Sequence, residues 1–237
     1  MTQHHGHNEN ERPHKHAHPE PITFEALDKD IQERSARISD EFQKAFDFLK
    51  GCEKSVTFWG SARTRENEKE YLKAKSLAKR ISEELGYAIV TGGGPGIMQA
   101  ANCGAGEVNG KSVGLTIQLP MEQVTNSCVT DHMDFYYFFS RKVALSFAAE
   151  AYVYFPGGFG TLDELFEILT LVQTGKIKHV PIILVGKKYW KGLDKFIKKH
   201  LLKNEKISPD DTNLYTITED EDEIIEIIKN APIRKTG

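Results

Sequence analysis

Apolar residues recur at helical spacing from Phe24 to Leu49, through Leu27, Ile31, Ile38, Phe42 and Phe46, interrupted by Arg34. The spacing predicts one long amphipathic helix, or two joined ones, closed by Gly51. Its apolar stripe is expected to cover a sheet, with a partner surface as the alternative. Beyond it, short runs rich in Val, Ile, Tyr and Phe alternate with helical patterns. The runs are Ser55–Trp59, Tyr87–Thr91, Ser112–Leu119, Tyr152–Phe155, Pro181–Val185 and a weak one at Leu214–Ile217. Helical spacing links Tyr71, Ala74, Leu77, Ala78, Ile81 and Leu85, ended by Gly86, and returns at Ile97–Gly106, Phe135–Ala149, Leu162–Gln173, Trp190–Leu202 and Asp220–Asn230. Strands alternating with helices are the signature of βαβ units. The expected fold is α/β, a single doubly wound Rossmann-like domain on a parallel sheet with an N-terminal helical extension.

The first 21 residues break this pattern. They hold His4, His5, His7, His14, His16 and His18 among polar residues and prolines, with almost nothing apolar. Such a stretch cannot offset its ordering entropy by burial and is expected to be a disordered tail with opportunistic metal affinity. The chain therefore reads as a tail over 1–21, a helical extension over 22–50 and a nucleotide-binding catalytic domain over 51–237.

Composition adds mostly exclusions. With 31 Lys+Arg against 34 Asp+Glu in 237 residues, a net charge of −3 argues for neither nucleic acid nor an anionic membrane as partner. No apolar run has the length of a membrane helix. Three cysteines, Cys52, Cys103 and Cys128, show no C-x-x-C pairing, so no disulfide or structural zinc site is expected and a reducing cytoplasm fits best.

Ligands of an open parallel sheet bind outside the carboxyl ends of its strands. Two turns there are glycine-rich. One is Thr91-Gly92-Gly93-Gly94-Pro95-Gly96-Ile97-Met98, and the other is Pro156-Gly157-Gly158-Phe159-Gly160-Thr161-Leu162-Asp163-Glu164. Glycine permits close approach to backbone N–H groups, and the following helix N-terminus suits a phosphate. A dinucleotide fingerprint fails, because Gly94 and Gly96 are followed by Gln99 and no acid lies in Ser112–Leu119. The Walker pattern fails too, since neither cluster is followed by Lys-Ser/Thr. A mononucleotide or sugar phosphate fits better.

Arg141 and Lys142 are adjacent cations inside a mostly apolar helix, after Phe135-Tyr136-Tyr137-Phe138-Phe139. About 100° separates them on a helix, so at most one inward-facing side chain is expected, the other reading being two solvated face residues. Glu164 either completes a capping box with Thr161 or faces the pocket as acid, base or charge stabiliser, with Glu167 and Thr170 further down the same face. Spacing leaves both open.

Arg141-Lys142 followed by PGGFGTLDE at 156–164 resembles the double motif of the LOG family, the cytokinin-activating nucleoside 5′-monophosphate phosphoribohydrolases long labelled lysine decarboxylases. Phe58-Trp59-Gly60-Ser61-Ala62-Arg63, the GGGPGIM turn, Leu119-Pro120-Met121-Glu122-Gln123, the stretch Leu169–Lys176 and Tyr189-Trp190 extend the resemblance over about 55–205, closest to the longer bacterial branch. The resemblance implies hydrolysis of the N-glycosidic bond of a nucleoside 5′-monophosphate, AMP or an N6-substituted AMP first. It implies Arg141 and Glu164 as the catalytic pair. Substrate binding falls to Lys142, Gly92, Gly93, Gly94, Gly96, Gly157, Gly158, Gly160, Thr161, Asp163, Ser61, Glu122 and Thr170. It implies no metal, no cofactor, and a homodimer or larger assembly. A lysine decarboxylase would need pyridoxal phosphate and a Schiff-base lysine, for which Lys142 is the one nearby candidate. The fold also resembles molybdenum-cofactor carrier proteins, so a non-catalytic carrier or sensor is the alternative, and a nucleotide-regulated interaction protein using the N-terminal helix is a third.

Overall fold

The computed structural model describes residues 23–52, 54–118 and 125–233. The His-rich tail and Glu122 lie outside the described residues. The described chain divides after Arg37. The short first unit carries the start of helix α1 (Phe24–Leu49), where Phe24, Leu27 and Ile31 are exposed. The second unit, from Ile38 onward, holds the rest of α1 and the whole sheet.

Among the described residues seven strands form one sheet: β1 (Ser55–Trp59), β2 (Ala88–Thr91), β3 (Ser112–Ile117), β4 (Asp131–Phe135), β5 (Ala151–Tyr154), β6 (Ile182–Val185) and β7 (Thr216–Thr218). All neighbours pair in parallel, in the order β4-β3-β2-β1-β5-β6-β7. Strand order therefore reverses between β1 and β5, which are in register through Val56↔Ala151 and Trp59↔Tyr154. The crossovers supply α2 (Lys69–Leu85), α3 (Ile97–Gly106), α4 (Phe138–Phe147), α5 (Phe159–Gln173) and α6 (Lys187–Phe196), and α7 (Glu221–Lys229) follows the last strand.

Side-chain alternation along the strands divides the core. Val56, Phe58, Ile89, Ala151, Val153 and Ile183 face one apolar layer built on α2, α3 and α7. Trp59, Val90, Val113, Leu115, Tyr152, Tyr154 and Leu184 face the other, built on α4, α5, Trp190 of α6, and Ala45 and Leu49 of α1. That period of two on a sheet covered on both faces is the doubly wound α/β arrangement expected from the alternation. The later part of α1 covers the sheet, as its stripe predicts.

Four differences have physical causes. Strand β4 is absent from the sequence reading because DHMDF is polar: it is an edge strand in which only Phe135 is buried. Phe135 consequently ends a strand, and α4 begins at Phe138. Helix α5 begins at Phe159, before Leu162, so Thr161 lies inside its first turn. Cys103 and Cys128 form a disulfide with Cα atoms 4.8 Å apart, correcting the expectation of free thiols. They are 25 residues apart in sequence and meet only because the segment after residue 125 returns to α3. No helix among the described residues is long and apolar enough to cross a membrane.

Candidate active site

Three turns converge where the strand order reverses. The turn after β1 runs through Gly60–Arg63, that after β2 through Gly92–Gly96, and that after β5 through Pro156–Gly158. Ser61 ties them together through its backbone. Its N–H donates to the Pro156 carbonyl at 3.0 Å, and its carbonyl accepts from Ile97 N–H at 3.1 Å. Its hydroxyl accepts from Arg63 N–H at 3.1 Å. Gly96, at φ +69°, passes so close that a Cβ there would lie 2.3 Å from the Ser61 carbonyl oxygen.

The Gly92–Gly96 turn is buried and held from beneath. Thr91 Oγ1 accepts from Gly93 N–H at 2.9 Å and donates to Asn102 Oδ1 at 2.6 Å. Asn126 Nδ2 donates to both the Gly94 carbonyl and Asn102 Oδ1 at 3.0 Å, while Asn126 N–H donates to the Gly93 carbonyl at 2.9 Å. Asn102 Nδ2 donates to Ser112 Oγ at 2.9 Å. Both asparagines are buried, and each sits one or two residues from a half of the Cys103–Cys128 disulfide. Sequence reasoning passed over them. Their signal was a lone asparagine in the small-residue helix AANCGAG and a second after the turn-rich segment, where burial demands partners.

Arg141 reaches over this turn from α4. Its Nε donates to the Leu115 carbonyl at 2.6 Å, and one terminal nitrogen donates to the Gly92 carbonyl at 3.4 Å. A Cβ on Gly92 would lie 2.2 Å from that nitrogen, so the guanidinium needs the bare glycine beneath it. Burial pulls Arg141 below its ordinary pKa, and the Glu164 carboxylate opposes the shift.

The second turn is open. Gly158 and Gly160 are exposed, and nothing lies within 4 Å of where their side chains would begin. Gly158 caps α5 with no side-chain bond, and Phe159 is 92% exposed. Thr161 does not cap the helix, so the capping-box reading of Glu164 gives way to a residue buried in the second turn of α5. Glu164 Oε2 is buried with no hydrogen-bond partner. Burial raises its carboxyl to about 7, with Lys142 and Arg141 opposing and Glu167 and Asp163 adding to the shift. Trp59 Nε1 is a second buried polar atom without a partner. The Trp59 ring stacks on Tyr154 at 6.2 Å, and the Tyr154 hydroxyl donates to the Glu164 carbonyl at 3.2 Å.

Arg141 and Lys142 diverge: the first lies over the glycine turn and the second pairs with the facing helix. Lys142 Nζ meets Asp163 at 2.8 Å and Glu167 at 2.9 Å, cross-linking α4 to α5. Thr170 is exposed and donates to the Phe166 carbonyl of its own helix at 2.7 Å. Tyr189, at the start of α6, donates its hydroxyl to the Gly157 carbonyl at 2.6 Å. The structure thus gathers Ser61, both glycine turns, Arg141, Thr161 and Glu164 around the switch point, with Lys142 and Asp163 joined behind them and Thr170 on the solvent side of α5.

The family model described as possible lysine decarboxylase matches residues 98–228. A pyrimidine/purine nucleotide 5′-monophosphate nucleosidase of Escherichia coli strain K12 is 30% identical over 159 residues, covering 60% of this chain and 34% of its own length. The chain thus spans about a third of the curated relative it matches. The probable cytokinin riboside 5′-monophosphate phosphoribohydrolase LOGL3 of Oryza sativa subsp. japonica is 41% identical over 46 residues, 19% of this chain and 21% of that protein. Among solved structures, TM1055 superposes with a TM-score of 0.56 at 22% identity over 74% of this chain and 98% of its own. The molybdenum cofactor carrier protein of Chlamydomonas reinhardtii does so with 0.54 at 23% over 74% and 96%. At these identities the superpositions speak for the fold alone.

Proposed function

The chain belongs to the LOG family, the group matched by the possible lysine decarboxylase model, and on that premise we propose that it hydrolyses the N-glycosidic bond of a nucleoside 5′-monophosphate. The products are free base and ribose 5-phosphate, and AMP or an N6-substituted AMP is the substrate of first choice. One observation carries the reading: a buried glutamate with an unpartnered oxygen and a pKa raised to about 7, under the influence of a half-buried arginine, on the helix that leaves the open glycine turn.

N-glycoside cleavage builds oxocarbenium-like charge on the sugar. In this reading the ionised Glu164 stabilises that charge and takes a proton from the water whose oxygen bonds the sugar carbon, a role for which a pKa near neutrality is suited. That proton balances the one the departing base nitrogen takes up. The 5′-phosphate sits on the Gly157–Thr161 turn, exposed at Gly158, Phe159 and Gly160, where first-turn N–H groups and the helix dipole favour an anion. Arg141 orients the sugar and phosphate. The exposed Phe138, Phe139 and Phe147 of α4 support the expectation of a homodimer or larger assembly.

Lysine decarboxylation uses pyridoxal phosphate on a Schiff-base lysine. Burial works against the charge on Lys142, but hydrogen bonds to Asp163 and Glu167 outweigh it and hold its ammonium well above the ordinary range. A locked ammonium is no nucleophile, so Lys142 does not fit that cofactor. The carrier alternative rests on fold likeness alone.

The test is chromatographic detection of free base after incubation with AMP, CMP, GMP and isopentenyladenosine monophosphate, with Glu164→Ala as control. Base release by the wild type and none by the variant is expected. Tight nucleotide binding without release from any monophosphate overturns the reading in favour of a carrier.

A further inference from the structure

Helix α4 carries Arg141 yet lacks a cap of its own. Its N-cap residue, Tyr137, makes no side-chain cap bond, and its first turn holds no acid. The missing acceptor comes from another element. Glu41 of α1 accepts from Tyr136 N–H at 2.5 Å and from Tyr137 N–H at 3.4 Å, and the Ser140 hydroxyl donates to the same carboxylate. Glu41 is only 8% exposed, and these three partners are neutral donors. A buried carboxylate is costly unless fully hydrogen-bonded, and the positive end of a helix is where its charge is best tolerated.

We propose that Glu41 is a positioning residue for Arg141, lent by α1 to fix the first turn of α4. The proposal rests on the reading of Arg141 as a substrate-orienting group. Ser140, which donates to Glu41, is the residue before Arg141, and the Arg141 N–H donates to the Tyr137 carbonyl at 3.3 Å to close that same turn. From there the guanidinium is pinned to Leu115 and Gly92. Three fixed points thus define Arg141, and one belongs to a residue outside the stretch the family model matches, 98–228. The helical extension is thereby part of how the site is built.

The test uses the full chain as wild type, Glu41→Ala, Glu41→Gln and Ser140→Ala. The Arg141 side chain is probed by its rate of phenylglyoxal modification, mapped by peptide mass spectrometry with Arg63 as internal reference. In parallel, kcat and KM are measured for base release from AMP. In Glu41→Ala the Arg141 rate is expected to rise several-fold with Arg63 unchanged, and kcat/KM to fall by roughly tenfold or more. Glu41→Gln, which keeps one acceptor oxygen for the Tyr136 N–H and can donate its amide to the Ser140 hydroxyl, restores part of both. If Glu41→Ala does not fold, Ser140→Ala, which removes one arm of the cap, shows the same changes at smaller size. An Arg141 rate that is unchanged in the folded variants overturns the proposal, as does a kcat/KM loss that Gln does not rescue. A wild type that releases no base from any monophosphate defeats the functional reading instead, and the modification rate still decides whether Glu41 holds Arg141.

Discussion

The two glycine turns look alike in sequence and behave differently in the fold. The Gly92–Gly96 turn is buried, its Gly93 N–H already taken by Thr91, its carbonyls claimed by Asn126 and Arg141, and the helix that follows it tied by the Cys103–Cys128 disulfide to the segment carrying Asn126. The Pro156–Gly160 turn is exposed from Gly158 onward, with open space above Gly158 and Gly160 and a helix start that no side chain caps. A glycine-rich turn at the carboxyl end of a strand is thus not one device but two. The first is a platform the protein fills with its own groups so that a guanidinium has a fixed bed. The second keeps its donors available for a ligand.

The sharpest way to probe the open side is through Glu164, on the helix that leaves it. Glu164→Gln is expected to lower kcat by roughly 10²- to 10⁴-fold, while AMP affinity by calorimetry stays within a few-fold. In the wild type, kcat/KM is expected to rise with pH through about 7, as the carboxylate forms. Stability moves the other way. The folded pKa is raised from 4.5 to about 7, so the native state keeps a proton that the unfolded chain has lost. Stability therefore falls as pH rises from 4.5 toward 7, and the deficit is complete above 7. Glu164→Gln is expected to match the wild type in urea unfolding at low pH and to exceed it by about 3 kcal/mol at pH 8. Equal midpoints at both pH values would sink the buried-carboxylate account.

On the closed side the largest effect is expected from the cross-link. Cys103 and Cys128 enclose a loop of 25-residue separation, and Cys103→Ser should cost about 3 kcal/mol of stability in urea. The loss should vanish when wild type and variant are compared in reductant. A variant as stable as the oxidised wild type would show that the platform does not depend on the bond.

Much of this architecture was legible. The alternation of Val56, Phe58, Ile89 and Val153 against Trp59, Tyr152 and Tyr154 is readable as strands buried on both faces, and the two turns, Arg141 and Glu164 stand out as chemistry. What stayed hidden depends on contacts distant in sequence. Strand β4 is polar because its edge position leaves it exposed. Asn102 and Asn126 gain meaning only when 24 residues of chain bring them together. Glu41 sits 95 residues from Tyr136, on a helix whose apolar stripe gave no reason to single out an acid. Spacing rules see one element at a time, and each of these residues serves an element other than its own.

The difference between the turns is most directly exposed by adding one carbon to each. Gly92→Ala places a Cβ 2.2 Å from an Arg141 nitrogen and 2.9 Å from the Met98 sulfur, so the guanidinium must leave its bed. A displacement of that order should lower kcat/KM by roughly 10²-fold and reduce stability as well. Gly158→Ala meets nothing within 4 Å, and φ −91°, ψ −157° is extended backbone that alanine adopts freely. Its unfolding midpoint should stay within about 0.5 kcal/mol of the wild type. Its effect should instead be confined to KM for AMP, raised by roughly tenfold because the added methyl stands where the phosphate settles. The pair separates the two roles without relying on either alone: a platform glycine damages folding and turnover together, and a ligand-facing glycine damages binding by itself. If Gly158→Ala destabilised the fold while leaving KM untouched, the open turn would be a second platform, and the phosphate would have to be sought elsewhere on the switch-point edge.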